Sequence, residues 1–202
     1  MTSPDDRSDR LGRRISDPLA IRALAHPARL TMLERLSVEG PATATECAAL
    51  VGLSPSACSY HLRLLARYGF VEESPDRGDG RERVWQANAR GWQTDVDESV
   101  QGGEAQAAQA AVTRVLVSTS DDKVLAWADG QTGEPEEWRR AAFMSNSTIV
   151  ATAEEVAALT ASMMDLVAPY LASERPLDEA PAEARYVHAA FRLVPRLGRK
   201  EP

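Results

Sequence analysis

The sequence predicts a mainly α fold with a small β wing, followed by a mostly helical C-terminal region with one or two strands. Three observations predict it. Between residues 18 and 69, apolar side chains recur at helical spacing, interrupted by His26-Pro27, Gly40-Pro41, Gly52 and Gly69. Two strand-like runs, 70–73 and 83–87, flank a segment rich in turn residues at 75–80. After Gly91 the chain turns rich in Ala, Gln and Gly, and helical stripes resume.

Each element follows from local chemistry. Residues 1–17 are polar and mixed in charge, which reads as a flexible arm. Arg10, Arg13 and Arg14 would make that arm either a minor-groove contact or a solvated tail. Asp17 is positioned as an N-cap ahead of Pro18, and Leu19, Ile21, Leu24 and Ala25 supply an apolar face. Proline disfavours helix in the residue before it, so His26-Pro27 ends this helix and starts another. Leu30, Leu33 and Leu36 carry the second, which closes at Gly40-Pro41. Thr43 marks a very short strand, and Thr45 is the expected cap of a short helix over 47–51. Ser54 then caps a helix that begins with Pro55 and ends at Gly69, with Cys58, Leu62 and Leu65 at core spacing.

Beyond Gly91, Ala108, Val112, Val115 and Leu116 form a stripe suited either to a dimer helix or to internal packing. A separate short helix is expected over 121–128, and another from Pro135 carrying Trp138 and Phe143. Residues 147–151 and 185–193 alternate as strands do. Thr152 and Glu155 match a capping box before Val156, Leu159, Met163, Leu166 and Tyr170, and Pro169 is expected to kink the end of that helix. No internal repeat is evident.

Composition narrows the function classes. The 202 residues are 44% hydrophobic and 26% charged, an ordinary globular balance. No apolar run reaches the ~18 residues of a membrane span, and the N-terminus lacks the apolar stretch of a signal peptide. Two cysteines make no disulfide framework, so the expected location is the cytoplasm. The formal net charge of -7 is uneven: residues 1–90 carry 13 Arg and 12 acids, while residues 91–202 carry 10 basic residues and 18 acids. The acid lies in the second half, which leaves the first free to bind an anion.

The informative stretch is 45–62. A short helix, a tight turn at Gly52 and a second helix are the parts of a helix-turn-helix. Ala48 is small where the helices must approach, and Leu53, Cys58 and Leu62 are expected inside. The other face carries Ser56, Ser59, Tyr60 and Arg63. No acid occurs between Glu46 and Glu72, so the positive end of the second helix is left to attract phosphate. The hairpin adds Arg77, Arg81 and Arg83. A helix for the major groove beside a basic hairpin makes a winged helix-turn-helix.

Arg22-Ala23-Leu24-Ala25-His26-Pro27-Ala28-Arg29-Leu30 resembles the opening signature of ArsR-type winged-helix repressors. Gly52-Leu53-Ser54, Ser59-Tyr60-His61-Leu62, Leu65 and Gly69-Phe70-Val71 match that pattern in order. The resemblance covers roughly residues 18–90. It implies a homodimeric transcriptional regulator, usually a repressor, on palindromic double-stranded DNA. By that resemblance Ser56, Ser59 and Tyr60 lie at base edges or nearby phosphates, and Arg63, Arg77, Arg81 and Arg83 neutralise phosphates. Ser54 is grouped with these DNA-binding residues, and so is His61, as a phosphate neighbour or else a helix-packing residue. The metal-sensing members carry Cys-x-Cys where this chain has Ala42 and Ala44, so that metal site is not expected. Residues 91–202 resemble the C-terminal extension of some actinobacterial regulators, on the strength of Trp138-Arg139-Arg140-Ala141-Ala142-Phe143.

Other chemistries find little support. Cys47 and Cys58 should face inward, where thiols are inert small hydrophobes rather than a redox switch. His26, His61 and His188 are scattered without metal-ligand spacing. Arg29 is expected in a structural ion pair, and His26 at the helix junction. No phosphate loop or nucleophile elbow occurs, so an enzyme is not expected, nor a cofactor. Trp127, Trp138, Phe143, Met163 and Met164 read as core, or else as the lining of a small-molecule effector site. The organisation expected is an arm at 1–17, a DNA-binding module at 18–90, and a dimerisation or sensor region at 91–202. The alternative is a winged-helix module that binds protein without reading DNA.

Overall fold

The computed structural model describes residues 13–75, 82–88, 92–94, 103–196 and 198. In chain order the elements are β1 (Arg13–Ile15), α1 (Pro18–Leu24), α2 (Pro27–Val38), β2 (Ala42–Thr43), α3 (Ala44–Val51), α4 (Pro55–Arg67), β3 (Val71–Glu73) and β4 (Val84–Ala87). Then follow β5 (Trp92–Thr94), α5 (Gly103–Gly130), α6 (Glu136–Ala141) and α7 (Ala153–Val167). They form two compact units, Met1–Asp121 and Asp122–Pro202, the division falling within α5.

The first unit is built around a helical core. Ile21 and Leu24 of α1, Met32 of α2, Cys47 of α3, and Cys58, Leu62 and Leu65 of α4 are closed to solvent and share one cluster. Burying each large aliphatic side chain there contributes about 1.5–3 kcal/mol. β2, β4 and β3 form a three-stranded antiparallel sheet in that order, with Val71 opposite Ala87 and Ala42 opposite Trp85. Phe70, Val71 and Trp85 are buried and join the sheet to the helical core. The wing is therefore a hairpin stitched to the strand that precedes α3.

Local signals account for most of the boundaries. The Asp17 side chain accepts from the Leu19 amide and Pro18 opens α1. Ser54 accepts from the Ala57 amide at 3.2 Å and Pro55 opens α4. Gly52 closes α3 in the left-handed region at φ 68°, where a side chain would be strained.

Several details differ from the sequence expectation. The cap of α3 is Thr43, not Thr45: Thr43 Oγ1 accepts from the Glu46 amide, and the Glu46 carboxylate accepts from the Thr43 amide. That capping box satisfies two orphan donors, while Thr45 lies within the helix. Leu19 and Leu53 are exposed rather than buried, and Ala20 takes the inward place in α1. Arg13–Ile15, at the end of the expected arm, pair in parallel with Trp92–Thr94. Of the two uses expected for the stripe of α5, internal packing is observed along its first half: Ala108 and Val112 are in the core cluster and Val115 lies against it.

α5 is one helix of 28 residues where the sequence pattern had suggested two. No Gly or Pro falls between its ends to stop it.

In the second unit Thr152 and Glu155 form the expected capping box at the start of α7. A 3-10 turn, Ala168–Tyr170, holds Pro169 directly after it. Arg185 lies over the Trp138 ring at 4.9 Å and pairs with Glu134 at 2.7 Å. Residues 147–151 and 185–193 carry no regular secondary structure and, among the described residues, join no sheet. A strand is completed only by a neighbour that takes its backbone donors and acceptors, which alternation alone does not supply. No described side chain of this unit is buried. Trp127, Trp138, Met163 and Met164 are half-buried and Phe143 is 89% exposed, so none is core within the chain. Among the described residues no helix is long and apolar enough to cross a membrane.

Candidate nucleic-acid interface

The site is assembled on α4. Its thirteen residues put Cys58, Leu62 and Leu65 inward, each closed to solvent. Side chains at i, i+4 and i+7 then line the opposite face. Ser56, Tyr60, Arg63 and Arg67 occupy that row and all are exposed, Tyr60 to 62%. Ser59 beside them is half-buried. The first turn of α4 holds no acid, so its amide groups present an uncompensated positive end. The Ser54 hydroxyl oxygen is engaged as the cap, and its proton stays free to donate. Among the described residues Arg63 has no ion pair.

α3 braces this helix. Ala48 is buried and admits the close approach of α4. At its first turn, the Thr45 hydroxyl donates to Glu82 at 3.0 Å, tying α3 to the base of the wing. Across the hairpin Gln86 donates to Glu72 at 2.8 Å, and Arg83 pairs with Glu73 at 2.6 Å. Thus Glu46, Glu72, Glu73 and Glu82 each hold an internal hydrogen-bond partner. Arg83 is exposed but already paired. Arg77 and Arg81 lie outside the described residues.

Two expectations about the helix junction are revised or refined. Arg29 makes no carboxylate pair among the described contacts. Its Nε donates to the Ala23 carbonyl, and a terminal nitrogen reaches the Arg22 carbonyl at 3.5 Å. Both carbonyls belong to the last turn of α1, where that of Arg22 also accepts from the Ala25 amide at 3.1 Å. The guanidinium is thus a cap for α1, and burial lowers its pKa.

His26 is the N-cap of α2, its Nδ1 accepting from the Ala28 amide at 3.2 Å. His61 of α4 is half-buried, with its ring 4.6 Å from that of His26 and edge-on to Tyr60 at 5.6 Å. Of the sequence-selected residues, Ser56, Ser59, Tyr60 and Arg63 are therefore gathered on one side of α4, Ser54 caps its N-terminus, and His61 faces the junction.

Cys47 and Cys58 are closed to solvent, and burial pushes the Cys47 thiol up to about 11, with Cys58 adding to the effect. Such a thiol is not poised as a nucleophile. Among the described residues no group of three His, Cys, Asp or Glu could hold a metal ion. Sequence reasoning missed the Thr45–Glu82 tie and the capping role of Arg29. The first joins residues 37 apart, and the second depends on where α1 ends.

No curated protein matches the chain. Residues 24–74 match a family model described as a helix-turn-helix domain, and they span α2 through β3, so the chain carries a helix-turn-helix domain that includes α3, the turn at Gly52 and α4.

Proposed function

We propose that the chain is a transcriptional regulator of ArsR type that binds double-stranded DNA as a homodimer, usually to repress. The observation that carries this reading is the exposed, acid-free row Ser56, Tyr60, Arg63 and Arg67 on the second helix of the helix-turn-helix. Ser56, Ser59 and Tyr60 are the proposed base-edge or near-phosphate contacts. Ser54, Arg63, Arg77, Arg81 and Arg83 are the proposed phosphate contacts. His61 is proposed to act beside them from the junction. Residues 18–90 form the proposed DNA-binding module and residues 91–202 the dimerisation region.

Homodimer formation is supported by the second unit, where Phe143, Met144, Val150, Leu166 and Val194 are largely exposed and need a covering surface. A dimer would place two recognition helices about one DNA turn, ~34 Å, apart on a palindrome. A small-molecule effector would act through this unit, where Trp127 and Trp138 report on binding by fluorescence.

The test is a gel-shift titration on the upstream DNA of the chain's own gene at two salt concentrations, with random DNA as competitor. Specific binding with steep salt dependence is expected, and Arg63→Ala and Arg81→Ala should weaken binding to every sequence. If both substitutions leave affinity and salt slope unchanged, the assigned face is wrong. The rival reading, a protein-interaction module, draws on the net charge of -7 and on the same exposed apolar side chains. It predicts no preference among DNA probes.

A further inference from the structure

We propose that the His26–His61 contact is a proton-released latch, holding α4 against the α1–α2 junction while both imidazoles are neutral and freeing it when they charge. The geometry carries the inference. His26 Nδ1 accepts from the Ala28 amide, so in the neutral ring the proton is on Nε2. The only nitrogen left to protonate is the one doing the capping. Protonation therefore turns the cap of α2 from acceptor to donor, facing another donor, and sets a cation at the positive end of a twelve-residue helix.

His61 answers to the same proton. Its Nδ1 is buried and has no hydrogen-bond partner. In the charged ring both nitrogens carry protons, so Nδ1 would hold a cationic N–H with no acceptor. The rings are 4.6 Å apart, and two imidazolium ions at that distance repel. The charged or titratable groups around the pair are Arg29 from α2 and Tyr60 from α4. Arg29 opposes protonation of both rings, and among the described residues no carboxylate acts on either. Burial first, and then these neighbouring cations, hold both imidazoles below the ordinary histidine value.

The sign follows from that depression. As pH falls, the unfolded chain takes up protons first, near ~6.5, and the folded chain resists until its lower values are reached. Latch stability is intact above ~6.5 and is lost as pH falls through the depressed values. Tyr60 precedes His61 in sequence and meets its ring edge-on at 5.6 Å, so release of His61 disturbs the exposed row of α4. The consequence for DNA affinity rests on the function proposed above; the latch itself does not.

The experiment uses the full chain. Imidazole NMR titration of the wild type should place His26 and His61 below the ordinary value, with His188 as an internal comparison assigned through His188→Gln. Thermal unfolding from about pH 7.5 to about pH 5.5 should show a falling Tm, and His61→Gln should remove most of that fall. Anisotropy with a labelled random duplex at constant ionic strength should show affinity lost several-fold on acidification in the wild type, and clearly less in His26→Asn, which keeps an acceptor at the cap of α2 but cannot charge and lies outside the proposed DNA contacts. If either imidazole titrates at or above the ordinary value, or if His61→Gln keeps the full pH dependence of Tm, the latch is overturned. A wild type that binds no DNA at any pH defeats the functional reading instead, while the titration still decides the latch.

Discussion

Single side chains decide several outcomes in this chain. Thr43→Ala removes one half of the capping box and should cost about 1 kcal/mol in urea unfolding. Thr45→Ala loses only the exposed hydrogen bond to Glu82 and should cost less, a difference that distinguishes the observed cap from its neighbour. Both threonines satisfy the propensity for a helix start. Only Thr43 stands three residues before a glutamate, and that spacing was readable from sequence. The role of Arg29 was not readable, because its acceptors become available only once α1 is known to end at Leu24.

Arg83 and Glu73 allow a test with opposite signs. Under the proposed function, Arg83→Ala removes a phosphate contact and weakens DNA binding. Glu73→Ala removes an acid and releases Arg83 from its partner, so it should strengthen binding at low salt. Equal affinity for both variants in a titration would show that this pair does not face DNA.

Elements were legible where their ends are written in local chemistry. Ser54-Pro55 opens α4 and Gly52 closes α3 as expected, because caps and left-handed turns need particular residue types. Gly52→Ala should destabilise by about 1–2 kcal/mol, purely through the backbone, since nothing lies within 4 Å of the added Cβ. A measured cost near zero would mean that α3 can end in another conformation. The face of α4 was equally legible: Cys58, Leu62 and Leu65 fix the inward side, and Ser56, Tyr60 and Arg63 are left outside. Elements that depend on distant partners were not. Residues 147–151 and 185–193 have the alternation of strands, yet among the described residues no strand pairs with them.

At the scale of the molecule, the helix-turn-helix and its wing were accessible from sequence because their motifs are close in the chain. The extent of the first core was not. It draws in Ala108 and Val112, well past the composition change at Gly91, through a contact that no local pattern announces. The second unit poses the opposite case, with helices and caps in place but no described side chain buried. Heat makes the difference visible. Unfolding absorbs heat capacity in proportion to the apolar surface newly wetted, and in a lone chain this unit has little left to wet. In a dilute calorimetric scan it should be nearly silent, the whole transition belonging to Met1–Asp121. With rising protein concentration the heat capacity increment and Tm should both grow as apolar side chains find cover. A scan unchanged across that range would show that no second copy supplies it.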